Sequence, residues 1–211
     1  MSALASVHKN NTVPGTQKFP VETMEESRNT FGRSPVHKRR TRLFEETVLP
    51  HLDAAYNLAR WLTRNDHDAQ DVVQESYLRA FQAFDGFQRG RDARPWMLKI
   101  VRNTCYTWLR ANRPHEIVAV SDETWQEPVA QNPGPEASLI RDTDSQIVRR
   151  ALEDVQLEYR EALVLRELEE LSYREIAELL GVPLGTVMSR LSRGRRDLSR
   201  LLQERARGAT K

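Results

Sequence analysis

The chain has 211 residues, enough for one large or two small domains, and 39% of them are hydrophobic, which supplies a core. It has no apolar run near the ~18 residues that a membrane-spanning helix needs, and its N-terminus lacks the apolar stretch of a signal peptide. A single cysteine, Cys105, excludes an intramolecular disulfide framework and a cysteine-built zinc site. These features favour a cytoplasmic protein without membrane insertion.

The net charge is only +2, but it is unevenly distributed. Residues 1–42 carry a net charge of +5 and residues 190–211 a net charge of +6, which leaves −9 for residues 43–189. Basic ends suit contact with phosphate, and an acidic middle suits a basic protein surface. On charge alone, a soluble protein with solvated basic tails fits equally well.

Residues 1–40 mix Asn, Thr, Pro, Gly and charged residues without a period, which predicts a disordered basic N-terminal arm. Lys38-Arg39-Arg40 at its end offers contacts to DNA, although a solvated tail is the simpler interpretation. Helical patterning begins at Leu43 and predicts a first helical domain over 41–112.

The second predicted helix of this domain, over about 68–84, is followed by Asp85-Gly86, where glycine is a natural helix stop. One of its faces is acidic and polar, with Asp68, Asp71, Gln74 and Glu75. An oxygen-ligand metal site is a weak explanation, because loop carbonyls usually help to build such sites. The alternatives are docking onto a basic partner and an ordinary solvated face, and the residues alone favour the solvated face.

The third predicted helix, over about 93–112, separates into two faces. One face is mainly apolar and carries Met97, Val101, Thr104, Cys105 and Trp108. The other face carries Lys99, Arg102, Asn103, Tyr106 and Arg110. Cations for phosphate, an amide for a base edge and an aromatic ring suit single-stranded nucleic acid. Taken alone, a buried Trp with a solvated cationic face is the more common explanation.

Residues 113–137 contain four prolines and a glycine in a mainly acidic context, which predicts a linker without helix. Fully extended, 25 residues reach ~80 Å at ~3.3 Å each, more than two turns of B-DNA at ~34 Å. Domains joined in this way can bind separate DNA sites. Helical patterning then resumes and predicts a second domain over 138–205, followed by a tail, with four helices at about 139–154, 158–169, 173–180 and 184–204. No strand alternation occurs, so the predicted fold is all-α, with two small helical domains joined by a flexible acidic linker.

The last two predicted helices have the pattern of a helix-turn-helix. Ser172 and Glu175 form a capping box, Ala177 allows close crossing of a second helix, and Gly181 allows the sharp turn. In the following helix the residues expected to face inward are Leu184, Val187, Leu191, Leu198 and Leu201. The residues expected on the opposite side are Thr186, Ser189, Arg190, Arg193 and Arg196, which suit entry into the major groove. The alternative is an amphipathic helical hairpin with a solvated basic face.

Three segments in this order resemble the extracytoplasmic-function sigma factors of the sigma-70 superfamily. Residues 68–81 resemble their polymerase-binding segment, residues 96–110 their downstream-promoter segment, and residues 172–196 their upstream-promoter helix-turn-helix. The resemblance implies an alternative sigma factor, with core RNA polymerase and promoter DNA as partners.

Site residues follow from the same resemblance. It assigns docking on the polymerase to Asp68, Asp71, Val72, Gln74 and Glu75. It assigns the −10 element to Trp96, Lys99, Arg102, Asn103, Tyr106 and Arg110, with Asn103 capturing a flipped base beside the 87–94 loop. It assigns the −35 element to Thr186, Met188, Ser189, Arg190, Ser192, Arg193 and Arg196.

The chain departs from the family pattern at three places. Met188 stands where the family often has Arg, Ser192 stands where some members have a bulkier residue, and the 40-residue N-terminal arm is longer than the minimal plan. Family analogy also implies an anti-sigma factor as a partner, and no extra domain is expected after the helix-turn-helix.

Two other classes of function fit the sequence less well than a sigma factor. A stand-alone helix-turn-helix regulator recognises duplex DNA unaided, usually as a dimer, but no ligand domain or dimerisation heptads are apparent. A nucleic-acid enzyme is disfavoured because the five histidines are scattered and no glycine-rich phosphate loop occurs. No catalytic residue, metal site or cofactor is therefore expected.

Overall fold

The computed structural model describes residues 35–88, 90–118 and 144–208. Every regular element in these ranges is helical, which confirms the all-α fold class. The first unit contains α1 (Pro35–Val48), α2 (Leu52–Thr63), α3 (Asp66–Ala83), α4 (Ala93–Asn112) and α5 (Pro114–Val118), with short 3-10 turns at Leu49–His51 and Phe84–Gly86. The second unit contains α6 (Asp144–Asp154), α7 (Leu157–Leu163), α8 (Tyr173–Leu180) and α9 (Leu184–Gly208), with a π-helical turn at Val164–Leu168 directly after α7.

Helix α2 lies at the centre of the first unit and packs against both α3 and α4. Its side chains are buried around most of its circumference, including Leu58, Trp61 and Leu62, each at most 1% exposed. Burial of large apolar side chains is the main stabilising contribution to such a bundle. The helix ends at Arg64 in the left-handed conformation, and Asn65 then caps α3 by accepting from the backbone N–H groups of His67 and Asp68.

The predicted third helix agrees with α4 in type and position. Asp92 caps its first turn by accepting from the backbone N–H of Arg94. The apolar face that the sequence predicts is the buried one: Met97, Val101 and Cys105 are fully buried, and Trp108 is half-buried. The opposite face of α4 is therefore available for contacts outside the first unit.

Helix α1 corrects one prediction. The sequence predicts a disordered arm through residue 40, whereas the helix begins at Pro35. Arg40 fixes this segment: its guanidinium donates to the Asp85 carboxylate (2.9 Å) and to the Phe81 carbonyl (2.6 Å), and it lies over the Phe81 ring. These partners lie more than 40 residues away along the chain, so no local pattern shows them. The rest of the predicted arm lies outside the described residues.

Helix α5 corrects a second prediction, because it lies in the segment predicted as a linker without helix. Proline is tolerated in a first helical turn, where its missing N–H has no partner to lose, so Pro114 begins a helix here. The remainder of the predicted linker, 119–137, lies outside the described residues.

In the second unit, α9 packs along α7 and α6, and α8 packs against α9. Gly194 permits the close approach of α9 to α7, since a Cβ at this position would lie 3.0 Å from a Leu163 methyl carbon. The prediction that Leu184 faces inward is wrong. Leu184 is 43% exposed, because it is the first residue of α9 and no preceding turn of this helix flanks it, whereas Val187 and Leu191 are buried.

The two units are in contact with each other. Helix α7 packs against α2, and α8 packs against α4. The contact covers part of the α4 face that the sequence predicts for single-stranded nucleic acid. Within the described ranges, none of the helices combines the length and the apolarity that crossing a bilayer requires.

Candidate protein and nucleic-acid interfaces

The acidic face of α3 is presented to solvent. Asp71, Gln74 and Glu75 are exposed, and Glu75 is paired with Arg79 one turn further along (2.7 Å). Asp68 is different, because it is half-buried and accepts from the Arg113 guanidinium at 3.0 Å. Three of the predicted docking residues are thus free to face a partner protein, and Asp68 fixes the end of α4 to α3.

Val72 does not lie on this surface. It is 2% exposed and packs in the core of the first unit, so this structure does not present it to a partner as the docking assignment requires. Leu78 was missed by the sequence analysis: it is 54% exposed and lies one turn after Gln74. An apolar residue at i+4 and i+7 from exposed polar positions, within an otherwise acidic helical face, was the signal that could have identified it.

The outer face of α4 carries the residues predicted for single-stranded nucleic acid. Lys99, Asn103 and Arg110 are exposed. Trp96 is half-buried, with its ring 5.0 Å from that of Phe87 and 6.4 Å from that of Phe84, measured between centroids. Trp96 therefore packs in an aromatic cluster with Phe84 and Phe87 at the start of α4.

Arg102 and Tyr106 are held by the second unit. The Arg102 guanidinium and the Tyr106 hydroxyl both donate to the Glu161 carboxylate, at 2.8 and 3.1 Å. Arg102 also lies over the Tyr106 ring at 4.5 Å. Glu161 is completely buried; burial raises the pKa of its carboxyl, and the Arg102 guanidinium opposes that shift. Burial likewise raises the pKa of the Tyr106 hydroxyl, so this residue donates its proton rather than ionising.

A second buried carboxylate repeats this arrangement. Glu169, 1% exposed, accepts from the Asn57 amide (2.7 Å) and the Arg94 guanidinium (2.5 Å), both from the first unit. Arg94 was expected only at the end of the loop beside the flipped base, and no local signal in the sequence predicts its pairing with Glu169. Nucleic acid that reaches Arg102 and Tyr106 has to displace Glu161, which accepts the same hydrogen bonds that a phosphate would accept.

The helix-turn-helix has the local geometry that the sequence predicts. The Glu175 backbone N–H donates to the Ser172 hydroxyl (3.2 Å), and the Ser172 backbone N–H donates to the Glu175 carboxylate (2.7 Å). These hydrogen bonds lower the pKa of Glu175. Gly181 ends α8 in the left-handed conformation at φ +69°, which a residue with a Cβ adopts only at a cost.

Helix α9 presents most of the residues predicted for duplex DNA. Met188, Ser189, Ser192, Arg193 and Arg196 are exposed, and Thr186 is half-buried. Arg190 is only 17% exposed and pairs with Glu158 on α7 at 2.8 Å. Arg193 donates to the Tyr159 hydroxyl at 3.2 Å. Arg190 thus tethers α9 to α7, whereas the more exposed side chains can reach a groove.

Replacing Ser172 with alanine is expected to lower the free energy of unfolding by about 1 kcal/mol, because the capping hydroxyl is lost from α8. Urea denaturation followed by circular dichroism measures the change. Ser199→Ala is the control: this serine is exposed within α9, where alanine should be neutral or slightly stabilising. Equal stability of Ser172→Ala and the native chain would mean that the capping box contributes nothing.

Neither metal nor thiol chemistry is indicated in the described part of the chain. It contains no group of three His, Cys, Asp or Glu residues that could hold a metal ion. Cys105 is fully buried, and burial raises the pKa of its thiol, so it behaves as a small apolar residue.

The family comparisons match the two helical units separately. The model described as Sigma-70 region 2 matches residues 47–115, and the model described as Sigma-70, region 4, matches residues 145–198. The acidic face of α3 and the whole of α4 lie inside the first match. The helix-turn-helix lies inside the second.

Relatives that match across both units are named as sigma factors. The chain is 36% identical over 155 residues to the ECF RNA polymerase sigma factor SigE of Mycolicibacterium smegmatis, covering 74% of this chain and 60% of that protein's length. It is 34% identical over 142 residues to the ECF RNA polymerase sigma-E factor of Escherichia coli, covering 64% of this chain and 74% of the relative. It is 31% identical over 174 residues to the RNA polymerase sigma-H factor of Pseudomonas aeruginosa, covering 80% of this chain and 90% of the relative.

Two solved structures share the fold. The sigma factor RpoE from Bartonella quintana, in complex with the anti-sigma factor NepR, is 31% identical with a TM-score of 0.59, covering 76% of this chain and 96% of that one. CnrH in complex with the cytosolic domain of CnrY is 25% identical with a TM-score of 0.56, covering 78% of this chain and 90% of that one.

Proposed function

This chain belongs to the extracytoplasmic-function sigma factors of the sigma-70 family, the alternative sigma factors that direct transcription initiation, and we propose a division of labour between its two units. The first unit binds core RNA polymerase and the −10 strand, and the second binds the −35 duplex. The observation that carries this proposal is the presence of both sigma regions in one chain, each with an exposed face suited to its partner. The protein acts as a cytoplasmic initiation factor and leaves catalysis to the polymerase.

Docking on the polymerase is assigned to the exposed residues of α3. Asp71, Gln74 and Glu75 offer two carboxylates and an amide to a basic surface, and Leu78 supplies an apolar contact at the edge of the same face. This combination of an apolar anchor with surrounding polar groups is typical of protein interfaces. Val72 is buried in the core of the first unit and holds α3 in place.

The outer face of α4 is assigned to the melted −10 strand. Asn103 is exposed midway along the helix, between the cations Lys99 and Arg110. An amide presents both a donor and an acceptor, which suits the edge of an unpaired base, and the cations suit the phosphates on either side. Arg102 and Tyr106 join this surface when Glu161 is displaced.

The exposed face of α9 is assigned to the −35 duplex. Helix-turn-helix proteins place the N-terminal residues of the second helix against base edges in the major groove. Ser189, Arg193 and Arg196 lie along this face, and Arg190 holds the helix on α7.

A regulatory partner is part of the proposal. The two solved structures described above are both complexes, and one of them is a sigma factor bound to an anti-sigma factor. We expect this chain to bind an anti-sigma factor as well. Such a partner would act by keeping the two units from the polymerase and the promoter.

The experiment that tests the function is in-vitro transcription with core RNA polymerase and a promoter library, with and without the purified chain. New start sites that depend on the chain are the expected result. Specific binding to duplex DNA by the chain alone would instead indicate a stand-alone helix-turn-helix regulator. No association with core polymerase and no directed start site would overturn the proposal.

Replacing Asn103 with alanine is expected to reduce open-complex formation about tenfold, since a good base contact provides about 1–3 kcal/mol of discrimination. Permanganate reactivity of unpaired thymines measures opening, and transcription from promoters varied at each −10 position measures discrimination. Asn112→Ala is the matched control, because this residue is an exposed asparagine at the end of the same helix. Unchanged opening and unchanged base preference in Asn103→Ala would refute its role.

A further inference from the structure

The exposed face of α9 has an apolar flank. Within the described residues only four large hydrophobic side chains are prominently exposed, and two of them, Leu184 (43%) and Met188 (54%), lie in the first two turns of this helix. Residues four apart on a helix project in directions about 40° apart, so the two side chains adjoin on the surface. Neither the capping box nor the packing of α9 on α7 requires an apolar residue there.

The flank borders on polar and cationic residues. Ser192 and Arg196 are exposed further along and around the same helix, and Arg193 and Ser189 lie beyond them. A surface with an apolar edge next to guanidinium groups complements duplex DNA, whose major groove lies between two rows of phosphates. The charge of this face disfavours a basic protein as the occupant.

We propose that Leu184 and Met188 contact the C5-methyl groups of thymines in the major groove and so determine the base preference of α9 at one or two positions. The thymine methyl is the apolar group that the edges of the natural bases present in this groove, and apolar side chains are its usual contacts. An arginine in place of Met188 would favour guanine or phosphate instead. The inference rests on the proposed −35 role of α9 and adds which chemical group this helix recognises.

The test compares thymine with uracil, which pairs identically but lacks the methyl group. Duplexes are first selected from a library with the full chain and core polymerase, and each upstream thymine is then replaced singly by deoxyuridine. Loss of one buried methyl corresponds to roughly a fourfold loss of affinity. We expect a loss of about this size at one or two adjacent thymines for the native chain.

Variants connect the effect to the two residues. Met188→Ala and Leu184→Ala should each bind the thymine duplex about fourfold more weakly and should no longer distinguish uracil at the position that each contacts. Leu49→Ala is the control, because Leu49 is 46% exposed but lies in the 3-10 turn before α2; it should keep the full response to uracil.

The outcomes separate this inference from the proposed function. If no duplex is enriched with polymerase, the proposed function fails. If duplexes are enriched but every uracil substitution changes native binding by less than twofold, or if Met188→Ala and Leu184→Ala respond to uracil as the native chain does, the methyl contact is refuted. Weaker binding of Met188→Ala to core polymerase without DNA would show a protein contact, and this also overturns the inference.

Discussion

The double substitution of Asp71 and Glu75 by lysine is expected to weaken binding to core RNA polymerase about a hundredfold, since disrupting a well-placed interfacial charge pair costs about 2–5 kcal/mol. Each reversal removes an attraction to a basic surface and adds a repulsion. The fold should persist, because both residues are exposed and the pair of Glu75 with Arg79 is a surface pair that contributes little to stability. Fluorescence anisotropy of labelled chain titrated with core polymerase measures the affinity.

The matched control is Glu178→Lys with Glu204→Lys. Both residues are exposed in the second unit, and Glu204 forms an i,i+4 pair with Arg200 as Glu75 does with Arg79. The two double variants change the net charge equally, so a general charge effect would weaken the binding of both to core polymerase. Raising the salt concentration screens these charges, so it should reduce the difference in affinity for core polymerase between the native chain and the α3 variant. Undiminished co-purification of the α3 variant with polymerase would place the docking surface elsewhere.

The substitution Glu161→Gln is expected to shift the two units toward an open arrangement by roughly tenfold, because hydrogen bonds to charged groups contribute about 1.5–3 kcal/mol. Glutamine has nearly the same volume but leaves the Arg102 guanidinium, 20% exposed, without its carboxylate partner. Removing one partner of a buried pair is costly because the remaining charge is poorly hydrated. The burial that raises the pKa of Glu161 offsets part of this loss, which limits the expected change.

Small-angle scattering measures this shift as a larger radius of gyration of the Glu161→Gln chain. Fluorescence titration with a single-stranded oligonucleotide should show stronger binding, because Arg102 and Tyr106 become accessible on α4. Glu204→Gln removes a carboxylate from an exposed pair within α9 and should change neither quantity. An unchanged radius together with unchanged oligonucleotide binding would mean that the Glu161 contacts do not hold the units together.

The helices were largely predictable because their signals are local. The bounds of α4, the capping box of Ser172 and Glu175 and the turn at Gly181 depend on residues a few positions apart. A cap or a left-handed glycine is determined by backbone geometry within one turn, and so it is visible in the sequence.

The candidate site was predictable in part. The polar and apolar faces of α3 and α4 follow from helical period, and most of the exposed residues on them are those expected. Leu184 differs because burial depends on which elements pack against a residue, which the period of one helix does not state. Val72 differs because the family resemblance, and not the helical period, assigned it to docking. Leu78 was not predicted because its exposure depends on how the helices of the first unit pack together.

The sequence by itself determined the helical class of this protein and the order of its segments, because periodicity, capping and motif spacing are properties of neighbouring residues. The resemblance of three of these segments to known motifs indicated the family. Only the tertiary structure showed that Glu161 and Glu169 of the second unit hold Arg102, Tyr106 and Arg94 of the first. These partners are separated by 55 to 75 positions, and their pairing depends on how the units pack. In the sequence, a carboxylate that becomes buried against a distant arginine cannot be distinguished from one that stays exposed to solvent.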